Sequence, residues 1–336
     1  VDEADGVNKV EVWAEKAGRF KGHRFFKTSG SSGVEKWVAL SQEALEWSAR
    51  SVITALEIRA EDVLGLALPE IHVGGFGVVV RARISGATLE RFEGKWNAGR
   101  FAEWCREKRV TISSLVPTQG HDLVAGGHRG AGSLRAIVVG GGALDDDLKE
   151  QARALGWPVL PSYGMTETSS QVATGDGLPL LPGWGAKLVD GRLALKGEGL
   201  LTAVIRRSGR SFVAEDPKVD GWYVTSDRAE LVEGGLRILG RADRVVKVLG
   251  ELVDLEKLEE FWRGELGCEV GVVTRAHERR GASLFLYYEG GELDLSKRNE
   301  GLSGLARLAG WRGLEILPRS PLGKIDRVAL QNFHEV

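Results

Sequence analysis

The sequence predicts an α/β protein with a large N-terminal domain, in which β-sheets flanked by helices adjoin an antiparallel subdomain, and a small α+β C-terminal domain. Three observations predict it. Short apolar runs alternate with helix-period segments through the first two-thirds of the chain, the pattern of a largely parallel sheet. From about Gly183 to Gly240 the texture changes to short strands and glycine turns. After Arg241 comes a compact set of one helix and several strands. With 336 residues, 43% hydrophobic and 27% charged, the chain can build two cores.

In order, KGHRFFK is strand-like, a serine-glycine loop follows, and SQEALEWSARSV is helical. VLGLALP predicts a buried strand. Residues 74 to 83, taken as a helix, put Gly74, Gly77 and Arg81 on one face. FAEWCREKRV has apolar positions three and four apart and predicts a helix; TISSLVP and LRAIVVGG predict strands. LDDDLKEQARALG is a helix with an acidic first turn, which suits the helix dipole, and WPVLPSYG is a further strand. GRLALKGEGLLTAVI and GWYVTSDRAELVEGGLRILG supply the antiparallel strands. The tail holds the helix LEKLEEFWRGELG, the strands VGVVTRA and ASLFLYYEGG, and the ending LPRSPLGKIDRVAL.

Composition excludes several classes. The formal net charge is -2, from 45 Lys+Arg against 47 Asp+Glu, so no bulk field draws the chain to nucleic acid or to an anionic membrane. Cys105 and Cys268 are far apart, with neither metal-ligand spacing nor a disulfide framework, which fits a reducing compartment. The densest apolar run, LGLALPEIHVGGFGVVV, is broken by Pro69, Glu70 and His72, so no membrane insertion is expected. The acidic start VDEADGVNKVEVW is unlike a signal peptide, and the expected location is the cytoplasm. The chain opens at Val1 and its one methionine is Met165, so an initiator residue or a longer N-terminal piece is expected before it. Oligomeric state is not legible; a homo-oligomer is compatible with the sequence.

Four stretches carry chemistry. In KTSGSSGVEK the residues Thr28, Ser29, Gly30, Ser31, Ser32 and Gly33 precede Lys36. Such a stretch is either a flexible linker or an anion-holding loop, whose glycines let backbone N–H groups approach phosphate and whose hydroxyls donate. It is not a Walker loop, because Val34 and Glu35 follow Gly33. In PSYGMTETSSQVAT, Tyr163 offers a stacking face, Thr166 a donor and Glu167 a hard oxygen ligand for Mg²⁺, while a lone carboxylate there is also compatible with solvated surface. WYVTSD puts Asp227 at a strand end, as a ribose-binding carboxylate or a turn residue. GRADRVVKVLGE and PLGKIDR, taken alone, are charged turns.

The order of these motifs, TSGSSGxxxK, YGMTE, GWYxTxD, GRxDxxxKxxGE and PxSPxGKIDR, resembles the acyl-adenylate-forming superfamily of acyl-CoA synthetases, carrier-loading adenylation domains and luciferases. The resemblance runs from Thr28 to Leu330. Within that family, the segments Leu68 to Leu89 and Ser113 to Gln119 look like those of o-succinylbenzoate–CoA ligases of menaquinone synthesis. There a basic residue nine positions after the histidine meets the substrate's second carboxylate, and Arg81 stands nine after His72.

The resemblance implies an AMP-forming acid–thiol ligase with ATP, Mg²⁺ and CoA. It divides the chain into residues 1–242, with the ATP and acyl pockets, and 243–336, a mobile lid carrying the catalytic Lys324. It gives the phosphate loop and Lys36 to ATP, Thr166 to the α-phosphate, Glu167 to Mg²⁺, and Asp227 and Arg241 to the ribose. Gly141, Gly142 and Tyr163 line the adenine and acyl pockets; His72, Gly74, Gly77 and Arg81 serve the acyl substrate. Asp243 is the hinge, and Lys247 and Gly250 border the pantetheine tunnel. Other carboxylic acids, or a carrier protein in place of CoA, are the alternatives. A non-catalytic nucleotide-binding relative is the reading from another class, against which stands the presence of Lys324, Glu167, Asp227 and the loop together. Family members carry more sequence before the phosphate loop, so the chain is either naturally short or a piece. Ser226 replaces the usual glycine of WYxTGD, and Glu70 lies close to His72.

Overall fold

The computed structural model describes residues 3–16, 18–29, 35–209, 211–249, 251–277, 280–320 and 323–333. The described residues form two compact units. The first runs to Thr225 and includes Glu230–Arg237; the second holds Ser226–Ala229 and everything from Ile238 onward.

The first unit is built on a six-stranded sheet in the order Thr88–Arg91, Val63–Leu66, Ile112–Leu115, Ala136–Val139, Val159–Met165, Ser170–Thr174. The first five strands are parallel and the last antiparallel. Short all-apolar runs such as AIVV, buried at every position, make strands covered on both faces. One face packs on Phe101 and Cys105 of the helix Ala98–Glu107, on Ala152 of the helix Asp146–Ala154, and on Trp157. The other receives Val78 and Ala82 of the helix Val73–Ser85, which cluster with Leu64, Leu66 and Ile112. Behind that helix lies Gln42–Ala55, whose first turn is capped by the Ser41 hydroxyl accepting from the Ala44 N–H at 3.1 Å.

A second sheet is antiparallel throughout, in the order His23–Ser29, Glu35–Ser41, Ala203–Ser208, Ser211–Glu215. The helix Glu3–Lys16, which the sequence pattern does not announce, sets Val10 and Ala14 against Phe25, Trp37 and Ile205 of this sheet. The glycine-rich stretch expected to form one antiparallel subdomain is thus shared between two sheets. Ala203–Ser208 pairs with Glu35–Ser41, Ala203 opposite Ala39, while Gly185–Val189, Arg192–Lys196, Tyr223–Val232 and Gly235–Arg241 make a sheet of their own. Strand patterns report burial and not distant partners, which is why the division was not legible.

In the second unit the helix Leu255–Leu266 starts at Asp254, whose carboxylate accepts from the Glu256 N–H at 3.0 Å, and ends at Gly267 in the left-handed region. Its Leu258 and Trp262 pack on the sheet Val270–His277, Gly281–Glu289, Leu308–Leu314. A hairpin, Val245–Val248 with Glu251–Asp254, precedes the helix. Among the described residues no helix is long and apolar enough to cross a membrane.

Candidate active site

Several of the residues singled out in the first unit follow the C-terminal ends of parallel strands, where open α/β sheets leave a crevice for ligands. His72 follows Val63–Leu66, Gly141 and Gly142 follow Ala136–Val139, and Tyr163 lies in Val159–Met165, which runs directly into a short 3₁₀ turn, Thr166–Thr168. Glu167 is buried in that turn, and its backbone carbonyl accepts from the Leu201 N–H at 2.8 Å. Lys36 reaches it from Glu35–Ser41, with Nζ 2.6 Å from Glu167 Oε1. The Thr28 hydroxyl donates to the Lys36 carbonyl at 3.4 Å across the hairpin. Ser29 ends the first strand of that hairpin. Gly30, Ser31, Ser32 and Gly33 lie outside the described residues, as does Gly250.

The backbone after Glu167 is held under strain. Ser169 (φ +55°) and Ser170 (φ +114°) are consecutive non-glycine residues at positive φ, a region costing on the order of 1 kcal/mol or more per residue. Three contacts hold them there. The Ser48 hydroxyl donates to the Ser169 carbonyl at 3.2 Å, and Thr168 Oγ1 donates to the Ser170 carbonyl at 2.9 Å. The third is Gly164, where an added Cβ would stand 1.9 Å from the Ser170 carbonyl oxygen, so only glycine fits. Ser48 and Thr168 were not singled out in the sequence, because a backbone-clamping hydroxyl shows no signal of its own, even for Thr168 inside PSYGMTETSSQVAT.

The helix Val73–Ser85 carries Arg81 inward. This side chain is 4% exposed, and among the described residues its guanidinium has neither an ion pair nor a hydrogen bond. Burial alone pulls its pKa down to about 10. Gly77 lies one turn before it: a Cβ there would meet Arg81 Nη1 at 3.1 Å and the Ser170 side chain at 3.6 Å, so the glycine lets the guanidinium pack closely on the helix. Gly74 faces Leu68 instead, at an ordinary 3.6 Å. The glycine that the helix cannot replace is Gly75, whose Cβ would fall 2.2 Å from the Pro69 carbonyl oxygen. Glu70 is turned outward, its carboxylate 2.8 Å from Arg91 Nε on the surface.

In the second unit Asp227 is buried on Tyr223–Val232, with Arg241 Nη1 3.8 Å away. Arg241 donates twice to Asp243, at 2.8 and 2.6 Å, and its backbone N–H donates to Glu256 at 3.0 Å. Ser226 is absent from the positive-φ residues, so this strand makes no demand for glycine there. Lys324 is exposed at its surface yet crowded. Desolvation and the charges of Arg241 and Arg327 lower its pKa, against a pull from Asp227 in the other direction. Its loop is closed by the Ser320 N–H donating to the Lys324 carbonyl at 2.7 Å. Lys247 is exposed on Val245–Val248.

The second unit also has a buried hub that the motifs hide. Glu259, on the helix Leu255–Leu266, is 3% exposed. It accepts from Arg327 at 2.9 and 2.5 Å, from Arg244 at 2.5 Å and from the Val272 N–H at 2.7 Å. The arginines of GRADR and GKIDR therefore anchor their loops to one helix.

A parallel sheet with a buried carboxylate–lysine pair beyond its strand ends, beside a buried cation without a counter-ion, defines an α/β protein built to handle anions. The sequence model of the AMP-binding enzymes matches residues 26–196, and the chain belongs to that family. Its relatives include the 2-succinylbenzoate–CoA ligase of Escherichia coli (strain K12), 33% identical over 238 residues that span 69% of this chain and 50% of the relative. Among solved structures, the o-succinylbenzoate CoA synthetase of Bacillus subtilis in complex with its acyl-adenylate intermediate superposes with a TM-score of 0.80 at 25% identity, covering 93% of this chain and 69% of that one. The same synthetase in complex with ATP and a magnesium ion gives 0.78 at 26% identity, covering 92% and 69%. The chain spans about half the length of the first curated relatives it matches.

Proposed function

We propose that this chain is an AMP-forming ligase that activates o-succinylbenzoate with ATP and passes the acyl group to CoA. The observation that carries the substrate is Arg81. A buried guanidinium without a counter-ion is costly, and the cost is offset when a ligand brings a carboxylate to it. A diacid can present one carboxylate to Arg81 and the other to the nucleotide. The relatives named above, ligases of that same acid, support the reading.

The reaction has two steps. An oxygen of the free carboxylate attacks the α-phosphorus of ATP, the bond to the bridging oxygen breaks, and pyrophosphate leaves. The CoA thiolate then attacks the acyl carbon and AMP departs. In the first step negative charge builds on phosphate oxygens, and fixed cations and donors stabilise it. The roles fall to Lys324 between carboxylate and α-phosphate, Thr166 on that phosphate, and Lys36 with Thr28–Gly33 on the outer phosphates. Asp227 and Arg241 hold the ribose, and Gly141, Gly142 and Tyr163 border the base and acyl group. His72, Gly74 and Gly77 shape the acyl pocket. We assign residues 1–242 to nucleotide and acid and 243–336 to the lid, with the hinge at Asp243 and Lys247 and Gly250 toward CoA.

The described residues hold no group of three or more potential metal-ligating His, Cys, Asp or Glu side chains. One carboxylate, Glu167, suits Mg²⁺ whose remaining ligands are nucleotide phosphates and water. Bound there, the ion would supply positive charge for the leaving pyrophosphate.

The experiment is product mass spectrometry after incubation with ATP, Mg²⁺, CoA and a panel of carboxylic acids. The expected product is o-succinylbenzoyl-CoA with AMP. A different acyl-CoA as the sole product would overturn the substrate, and absence of both acyl-CoA and AMP would overturn the ligase reading.

A further inference from the structure

Lys324 springs from a loop whose backbone is held on both sides of its Cα. The carbonyl of Gly323, in the peptide group that leads into Lys324, accepts from Arg319 Nη1 at 3.1 Å. The carbonyl of Lys324 itself accepts from the Ser320 N–H at 2.7 Å, and the Gly323 N–H donates to the Ser320 carbonyl at 2.8 Å. With both flanking peptide groups tied, the loop sets the direction in which the Lys324 side chain leaves the backbone.

Arg319 is held in turn. Its Nη2 donates to Glu289 Oε1 at 2.9 Å, and the same carboxylate oxygen accepts from the Leu317 N–H at 3.2 Å. Glu289 is the last residue of Gly281–Glu289, the central strand of the second unit's three-stranded sheet. Leu317 is buried in a cluster with Val273, Tyr287 and Leu330. One carboxylate at the end of a core strand therefore fixes the root of the loop and, through Arg319, the peptide group next to the lysine. Global stability does not account for the arrangement. The Arg319 and Glu289 side chains are 27% and 28% exposed, where an ion pair adds little.

We infer that Arg319 is a positioning residue for Lys324, and that Glu289 is the anchor through which it acts. The inference rests on the role given above to Lys324 in adenylation and adds the residues that aim its ammonium. Displacing a catalytic group by about 1 Å can cost on the order of 100-fold in rate, so a lysine on an untied loop loses much of its effect.

The test follows the two half-reactions of the full chain separately: ATP–pyrophosphate exchange with o-succinylbenzoate, and thioester formation from supplied o-succinylbenzoyl-adenylate and CoA. Arg319→Met is expected to lower kcat of the exchange on the order of 10- to 100-fold. KM for ATP, the melting temperature and thioester formation should stay as in the wild type. Glu289→Gln keeps an oxygen for the Leu317 N–H but no charge for Arg319, and should lower the same kcat by a smaller factor. The double variant should be no slower than Arg319→Met, because both changes act through one linkage. A mere charge effect would drive the two single variants in opposite directions, since one removes a positive group and the other a negative one. That result overturns the inference, as does an equal loss in both half-reactions. Lys324→Ala separates the two levels. Full exchange in it overturns the role of Lys324 itself. Loss of exchange in it beside a normal kcat in Arg319→Met leaves Lys324 in place and overturns the assignment of Arg319 alone.

Discussion

Lys36 Nζ stands 2.6 Å from Glu167 Oε1, with the two side chains 22% and 11% exposed. The pair joins the hairpin that bears the serine-glycine loop to the turn that bears the proposed metal ligand. Each partner neutralises the other, and under the proposed function both would exchange this pairing for ATP and its metal. Lys36→Met leaves Glu167 shielded without its cation. The expected cost in urea unfolding is about 1–3 kcal/mol, the range for a buried charge that loses its partner. ATP binding, measured by titration, should weaken on the order of tenfold. A variant as stable as the wild type would show that Glu167 finds water or another donor.

The Glu259 hub makes a sharper prediction. One buried carboxylate serves two arginines and a backbone N–H. Glu259→Ala abandons two guanidinium groups in a shielded place, and removing one member of a buried ion cluster costs about 3–5 kcal/mol. The second unit should then unfold at lower denaturant than the first, seen as a separate early transition. A single unshifted transition would mean that Arg244 and Arg327 are solvated after the loss.

Asp62 ties the start of the parallel sheet together. It takes two hydrogen bonds from Arg135, at 3.0 and 2.7 Å, one from the Arg59 N–H at 2.9 Å and one from the Thr111 hydroxyl at 2.8 Å. Arg135 first, then these donors, hold its pKa down at about 2, against the opposing effect of burial. The folded value lies below the unfolded one, so the stabilisation is complete above about pH 4 and fades as pH falls toward 2. Arg135 is partly solvated, and after screening the contribution is about 1–2 kcal/mol. Asp62→Asn should lower stability at pH 7 by that amount, with a smaller difference from the wild type near pH 2. An equal difference at both pH values would remove the ionised carboxylate from the explanation.

The sequence made local elements legible and left long-range partnership hidden. Ala136–Val139 announces itself because a buried parallel strand is a continuous apolar run, and Ile112–Leu115 is a short strand that buries two serines between its apolar ends. The pairing of Ala203–Ser208 with Glu35–Ser41 does not, since nothing in either strand names its partner. The same division holds at the site. Lys36, Glu167, Arg81 and Lys324 are singled out by chemical type and motif order. Gly75 and Gly164 were passed over for glycines nearer the chemistry, because only coordinates show which carbonyl a Cβ would strike. Glu259 is one of four glutamates in LEKLEEFWRGELG, and nothing in the sequence sets it apart.

Lys324 carries the last prediction. Its ammonium is disfavoured by its surroundings, first by desolvation and then by the charges of Arg241 and Arg327, while Asp227 favours it. The folded pKa therefore lies below the ordinary lysine value. If the charged form stabilises the transition state of adenylation, activity is full below that pKa and falls as pH rises through it. The alkaline limb of ATP–pyrophosphate exchange should accordingly appear earlier than a free lysine would give. Arg241→Met removes one repelling charge and should move the limb to higher pH. Asp227→Asn removes the attracting charge and should move it lower. Lys324→Ala should abolish the exchange while leaving thioester formation from supplied acyl-adenylate. Identical limbs in all three single-charge contexts would mean that a group other than Lys324 sets the alkaline limit.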